Sequence, residues 1–266
     1  MNNITIFYFS GTGNTAWAVN TLSEKLIKRG FNVTLISIEE DFDPAAAIQN
    51  CDIAGFAFPI HASFAPANVQ TLFDTVPSVD SKPIIGLVTA GYAAGDVLVY
   101  SLKSLEEKGY TPAVFCNIIV GNNMHLPGLS PLPVTGTDKL EKNLVKAERK
   151  IDNMADLIRD GISHIEGGNP FGRLLGIIQR AAAESLEKCA FKGFYADKSC
   201  IECGWCVKNC PVENIEMADG GVVFHDRCII CMRCYSYCPK HAVQLSEKTK
   251  NEKKYKRYKG LEIISG

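Results

Sequence analysis

The chain has 266 residues, 46% hydrophobic and 21% charged, with a formal net charge of -1. That length suits one sizeable core with a small appended module, and no apolar run reaches the roughly eighteen residues that a membrane span requires, so a soluble protein is expected. The charge is uneven: residues 197–266 hold twelve Lys plus Arg against nine Asp plus Glu, leaving -4 for residues 1–196.

In chain order, the first 160 residues alternate short apolar runs with amphipathic stretches, the pattern of a parallel sheet covered by helices on both faces. Five strands are predicted, over Ile4 to Phe9, Asn32 to Ile38, Asp52 to Phe58, Pro83 to Thr89 and Ala113 to Val120. Between the first two, Thr15 to Arg29 carries Ala18, Leu22 and Leu26 at helical spacing, pairs Glu24 with Lys28 on its wet face and stops at Gly30. After the fifth, Leu140, Leu144, Ala147, Ile151, Met154 and Ile158 form one helical stripe that Gly161 ends. Right-handed crossovers limit such a chain to an α/β doubly wound fold with its crevice at the carboxyl ends of the strands.

At the first of those ends, Ser10, Gly11, Thr12, Gly13, Asn14 and Thr15 connect strand to helix. Free amides and hydroxyls converge there on a helix N-terminus, whose dipole favours an anion. No lysine follows as in a nucleoside triphosphatase loop, and the third glycine of a dinucleotide fingerprint is missing, so a monophosphate fits better. The competing reading is an ordinary turn rich in Gly and Thr.

This loop and the strand pattern around it resemble the flavodoxin family, over about residues 1–160. The resemblance implies a flavodoxin-like five-stranded parallel sheet with flavin mononucleotide (FMN) held at its phosphate by Ser10, Gly11, Thr12, Gly13, Asn14 and Thr15. It also implies that two loops embrace the ring. One comprises Pro59, Ile60, His61, Ala62, Ser63 and Phe64, and the other includes Thr89, Ala90, Gly91, Tyr92, Gly95 and Asp96. Tyr92 is the expected stacking residue, against a role as an amphipathic aromatic capping the sheet. His61 either influences proton uptake at the flavin edge or is a surface histidine without a task. Many members have a glycine in the loop after the third strand, where this chain has Ala62 and Ser63.

Asn169-Pro170 opens a further helix, with proline at its tolerated first position and Leu174, Ile178, Ala182, Leu186 and Cys189 on one stripe. This helix is expected to strap the C-terminal module to the first domain, with Gly167-Gly168 as the joint and Phe191, Phe194 and Tyr195 as an anchor. Two cysteine runs follow, twenty-eight positions apart: Cys200, Cys203, Cys206 and Cys210 before Pro211, then Cys228, Cys231, Cys234 and Cys238 before Pro239. The repeat continues as Ile201 with Ile229, Ile215 with Val243 and Met217 with Leu245. The spacing is that of the bacterial iron-sulfur run, in which three thiolates grip one cluster and the fourth reaches the other. Zinc usually takes two Cys-x-x-Cys pairs, leaving a third cysteine per run without a task. A disulfide framework suits a secreted chain, whereas residues 1–10 read as a strand and not as a signal peptide, so reduced thiols and a cytoplasmic location are expected.

Residues 197–247 thus resemble the dicluster [4Fe-4S] ferredoxins, a small α+β domain. The resemblance implies that Cys200, Cys203, Cys206 and Cys238 hold one cluster and Cys228, Cys231, Cys234 and Cys210 the other. Cys51, Cys116 and Cys189 are assigned to packing. Lys208, Arg233 and Lys240 are expected to raise the cluster potentials slightly. The tail from Lys248 to Lys259 carries seven basic side chains and one acid, Glu252, with Tyr255 and Tyr258 interleaved. It reads as a solvated face, as a docking patch for an acidic redox partner, or as a nucleic-acid contact, although no nucleic-acid module accompanies it.

The expected division is a flavodoxin-like FMN domain over 1–165, a connecting helix over 166–196, a ferredoxin domain with two [4Fe-4S] clusters over 197–247 and a basic tail over 248–266. The whole resembles the flavodoxin-ferredoxin fusion proteins of anaerobic bacteria and archaea. That resemblance implies an electron carrier that relays single electrons between its clusters and FMN and exchanges them with a redox partner protein, either a ferredoxin-type donor or an acceptor reductase. The alternative is an FMN-dependent terminal reductase of a small-molecule acceptor, with His61, Asn122, Asn123 and His125 as pocket candidates. The last three lie on the long loop from Gly121 to Gly136.

Overall fold

Along β1 (Asn3–Tyr8), side chains alternate between two cores: Ile4 and Ile6 enter one, while Phe7, and Phe9 just past the strand, enter the other. A strand buried on both faces belongs in the middle of a covered sheet. In the computed structural model, which describes residues 2–61, 63–128, 130–190 and 193–261 without the side chains of 182–190, it does so. Ala62, Phe191 and the side chains of Ala182, Leu186 and Cys189 therefore lie outside the described residues.

Strands β2 (Asn32–Ser37), β3 (Ile53–Pro59), β4 (Lys82–Ala90), β5 (Tyr110–Ile119) and β6 (His164–Ile165) join β1 in one sheet of order β2-β1-β3-β4-β5-β6. All its pairings are parallel, and the run 2-1-3-4-5 is the flavodoxin-like order. The sheet thus has six strands, not five. The sixth is two exposed residues beside Val114 and Phe115, too short and polar to leave a periodic signal.

Helices α1 (Asn14–Ile27) and α6 (Thr137–Asp160) cover one face with Ala18, Val19, Leu22, Leu26, Ala147, Ile151, Met154 and Ile158. The other face is covered by α2 (Pro44–Gln49), α3 (Ala67–Thr75), α4 (Val97–Ser101) and α5 (Lys103–Glu107). Gly161 ends α6 in the left-handed conformation, at φ 64°. Among the described residues, no helix is long and apolar enough to cross a membrane.

Over its described side chains, helix α7 (Pro170–Ala190) turns apolar residues outward, contrary to expectation: Phe171, Leu174, Ile177 and Ile178 are all exposed. It docks instead through glycine and polar residues. Gly176 lies against Gly95, where an added Cβ would stand 3.0 Å from the Gly176 backbone, and Arg180 donates to Asp96 at 2.6 and 3.1 Å. Both partners of this ion pair are buried. Close backbone approach and one buried charge pair outweigh apolar periodicity here.

The C-terminal module comprises β7 (Tyr195–Ala196), α8 (Trp205–Lys208), a hairpin of β8 (Ile215–Ala218) with β9 (Gly221–Phe224), α9 (Arg233–Tyr237) and β10 (Val243–Gln244). Its backbone repeats like its cysteines, because left-handed φ values recur twenty-eight positions apart at Glu202 and Ile230, Gly204 and Met232, and Glu213 and His241. The tail divides its residues. Tyr255 and Tyr258 are buried, whereas Lys248, Lys250, Lys253, Lys254, Lys256 and Lys259 are exposed. Arg257 donates to the carbonyls of Tyr235, His241 and Val243, so the tail straps the module as well as displaying charge.

Replacing Arg180 with Met strands a buried carboxylate, and removing one partner of such a pair costs about 3–5 kcal/mol. The Arg180→Met variant is expected to unfold at a lower urea midpoint by circular dichroism, with partial recovery when Asp96→Asn is added. A midpoint equal to that of the wild type refutes the assignment.

Candidate cofactor sites

The residues between β1 and α1 form a cradle whose side chains are committed to the protein and whose amides are not. Ser10 Oγ accepts from the Ala16 amide at 3.1 Å, Thr12 Oγ1 accepts from Asn123 Nδ2 at 2.9 Å, and Thr15 and Thr89 share a hydroxyl bond of 2.8 Å. Asn14 donates to the Gly121 carbonyl at 3.1 Å and accepts from the Tyr258 hydroxyl at 2.7 Å. Among the described residues, the amides of Gly11, Thr12, Gly13, Asn14 and Thr15 donate to no protein acceptor. A row of unpaired amides at the N-terminus of a fourteen-residue helix fits a phosphate group.

The cradle opens into a crevice of about 330 Å³, at the small end of the range for small-molecule sites. Of the sequence candidates, Ser10, Gly11, Thr12, Asn14, Thr15, Pro59, Ile60, His61, Thr89, Ala90, Gly91 and Tyr92 line it. Gly91 permits the second loop to touch the fifth-strand loop, since a Cβ there would stand 2.7 Å from Asn122 Cα. Tyr92 is 41% exposed, with Lys139 Nζ 5.2 Å from its ring centroid. His61 is part of the wall, and burial holds its imidazole down at about 4, with the Ile229 backbone opposing the shift. It is therefore neutral at pH 7 and no ordinary surface histidine.

Five candidates lie off the crevice wall. Gly13 bends the loop at φ 92°, with the Leu261 carbonyl 2.5 Å from where its Cβ would be. Asp96 is taken up by Arg180, and Gly95 by the backbone of α7. Phe64 packs edge-on against Tyr100 at 5.9 Å. Ser63 is buried in the left-handed conformation at φ 66°, its hydroxyl bonded to Gln179 Oε1. Of the residues proposed for a small acceptor, Asn122 and Asn123 also line the crevice, with their amides engaged: Asn122 Nδ2 meets the carbonyls of Met124, Leu132 and Pro133, and Asn123 holds Thr12. His125 is not on the wall and packs at a tilt on Tyr255, ring centroids 4.9 Å apart.

The eight run cysteines line two small pockets in crossed sets. Cys200, Cys203, Cys206 and Cys238 line an outer one, beside Ile201 and Trp205, and Cys210, Cys228, Cys231 and Cys234 line an inner one. Each pocket gathers three cysteines of one run and the fourth of the other, the ligand arrangement of a pair of iron-sulfur clusters. Elsewhere, Cys116, His164 and Glu166 converge to within 4.8 Å of one another, but Lys150 already neutralises Glu166 at 2.7 Å. Burial first, and Glu166 second, push the Cys116 thiol up to about 12.

The two pockets differ in environment. Cys203 is exposed, whereas burial pushes the thiols of Cys228 to about 11 and Cys231 to about 12. Amides point at three sulfurs: Asn214 to Cys210 and Ala242 to Cys238, each at 3.2 Å, and Ile230 to Cys228 at 3.4 Å. Such bonds stabilise negative charge on sulfur.

The inner pocket and the crevice meet. Ile230 and Cys231 line both, and a Cβ on Gly11 would stand 2.5 Å from the Cys231 carbonyl. Sequence reasoning missed Gln179 and Ile230 as crevice residues and Tyr258 as a partner of Asn14. Of these, only the tyrosine left a local trace, as an aromatic at three-residue spacing from Tyr255 in a charged run.

Residues 199–243 match the model of the 4Fe-4S dicluster domain. A stretch of 110 residues, 40% of this chain, is 30% identical to a putative diflavin flavoprotein of Synechocystis sp. and accounts for 18% of that protein's length. Among solved structures, similarity extends to the two-electron reduced flavodoxin of Megasphaera elsdenii, at 17% identity and TM-score 0.43, covering 57% of this chain and 98% of that one. The rubredoxin oxygen:oxidoreductase of Desulfovibrio gigas is also 17% identical, at TM-score 0.43, over 61% of this chain and 36% of that one.

Because the quartets are crossed, Cys210→Ser is expected to disturb the inner site and Cys238→Ser the outer, each against its own run. Iron and sulfide content with electron paramagnetic resonance of the reduced protein checks this, and loss of the signal assigned to the same run as the replaced residue contradicts it.

Proposed function

From a chain that joins a flavodoxin-like sheet to a 4Fe-4S dicluster module, we propose an electron-transfer protein that binds FMN in its crevice and exchanges single electrons with a redox partner protein. When bound, the flavin and clusters supply the electron-accepting centres, and the polypeptide sets their order, burial and hydrogen bonding. The observation that carries the reading is the wall of Ile230 and Cys231 common to the crevice and the inner cysteine pocket.

In the outer quartet Cys203 is exposed, as is the neighbouring Ile201, whereas Cys231 of the inner quartet is buried and lines the crevice. This order supports entry or exit of electrons at the outer site. The free amides of residues 11–15 support recognition of a monophosphate, and the loops around His61 and Tyr92 support enclosure of the ring. A terminal reductase draws less support, since Asn122 and Asn123 are spent on protein acceptors.

The exposed tail lysines support docking of an acidic partner. Lys250 pairs with Glu247, which accepts from Tyr195 at 3.0 Å, so this charge adjoins the strand leading to the outer quartet. Long-range attraction of this kind acts on association rate and weakens with salt. Lys248, Lys253, Lys254 and Lys256 changed together to Ser are expected to slow electron exchange with an acidic ferredoxin-type donor severalfold at low salt and hardly at high salt. Equal rates at low salt end the docking assignment.

For the central reading, anaerobically purified protein is expected to contain iron, sulfide and FMN together, and stepwise reduction by a ferredoxin-type donor to bleach both the cluster and the flavin absorption. Zinc in place of iron, or flavin that stays oxidised beside reduced clusters, defeats it.

A further inference from the structure

Three consecutive carbonyls of the phosphate loop are held by one short helix of the cluster module. Arg233 Nη2 donates to the Ser10 carbonyl at 2.7 Å and Nε to that of Gly11 at 3.2 Å, while the Tyr237 hydroxyl donates to that of Thr12 at 3.1 Å. Across a planar trans peptide, the carbonyl and the amide that follows it point in opposite directions. Fixing these oxygens toward α9 therefore turns the amides of Gly11, Thr12 and Gly13 away from it. These are amides that find no protein acceptor among the described residues.

Arg233 is itself immobilised. It donates to both Glu39 carboxylate oxygens at 2.7 Å and to the Asn209 carbonyl at 3.0 Å, and only 7% of it is exposed. Arg233 and Tyr237 lie on α9 together with Cys234 and just after Cys231, so ligation of these two thiolates of the inner quartet sets where α9 sits. Arg233, expected to raise the cluster potentials, also holds the loop.

We propose that α9 forms the outer half of the phosphate site, so that loading of the inner cysteine quartet and capture of a phosphomonoester by residues 10–15 strengthen each other. Linkage requires the effect to be reciprocal. The inference rests on the reading of the crevice as an FMN site, and it concerns the phosphate alone. Riboflavin, which has the same ring and no phosphate, is predicted to be indifferent to α9.

The test titrates cluster-loaded, flavin-free protein with FMN and with riboflavin, following flavin fluorescence. From the weight of charge-assisted and neutral hydrogen bonds, Arg233→Met is expected to weaken FMN binding about 10- to 100-fold and Tyr237→Phe about 2- to 10-fold, with riboflavin affinity unchanged. Arg233→Lys should recover part of the loss, since one ammonium reaches a single carbonyl. Removing the clusters from the wild type with a chelator should reproduce the Arg233→Met defect. Should Arg233→Met shed its clusters, Tyr237→Phe, which deletes one oxygen, decides. An unchanged ratio of FMN to riboflavin affinity in variants with intact cluster absorption overturns the coupling, as does FMN affinity independent of cluster content. If the wild type binds FMN and the variants match it, the coupling alone falls. If the wild type binds neither flavin, the crevice reading falls and the coupling with it.

Discussion

Where the sheet meets the cysteine module, backbone touches backbone. Gly11 offers no side chain, so the Cys231 carbonyl occupies the space a Cβ would need, and the wall between crevice and inner quartet is one residue thick. Such an approach is geometrically demanding, because two loops must keep their register within a few tenths of an ångström. Arg233 supplies that constraint. A buried guanidinium costs several kcal/mol unless its hydrogens find acceptors, and here a carboxylate and three carbonyls receive them. The same charge that would be costly if misplaced makes one seat of the module on the sheet much better than its neighbours.

The cysteine module shows what duplication preserves and what it releases. Each half repeats three left-handed residues, and for residues other than glycine that conformation costs about 1–2 kcal/mol apiece. Ile230, a β-branched residue at φ 53°, is the most strained by type, and with Cys231 it lines both pockets. Its counterpart, Glu202, faces solvent. Equal backbones thus carry unequal surroundings: Cys203 of one quartet is exposed, whereas Cys231 of the other is buried against the crevice.

Helix α7 follows a similar logic at the opposite wall. Gln179 bonds Ser63 and the Ala93 carbonyl, linking both loops of the crevice, and Arg180 fixes Asp96 at the start of α4. Among its described side chains, the helix is held by polar contacts at short range while Phe171, Leu174, Ile177 and Ile178 remain outside.

The strand and helix pattern was legible in the sequence because β1, β3, β4 and β5 are buried on both faces, which forces continuous apolar runs, and because α1 and α6 bury single stripes. The phosphate loop and the cysteine runs were legible too, since an anion cradle and a cluster each need several donors within a few residues of chain. The sixth strand, the outward turn of α7, the capture of Asp96 by Arg180 and the burial of Tyr255 and Tyr258 were not. Each depends on partners far away in the chain: Asp96 meets a residue 84 positions on, Asn14 one 244 positions on, and Ser10 one 223 positions on. Local pattern determined which chemistry this protein holds. The tertiary structure alone decided which quartet faces the crevice and which charge holds the loop, because those choices arise from contacts between surfaces that have no common neighbourhood along the chain.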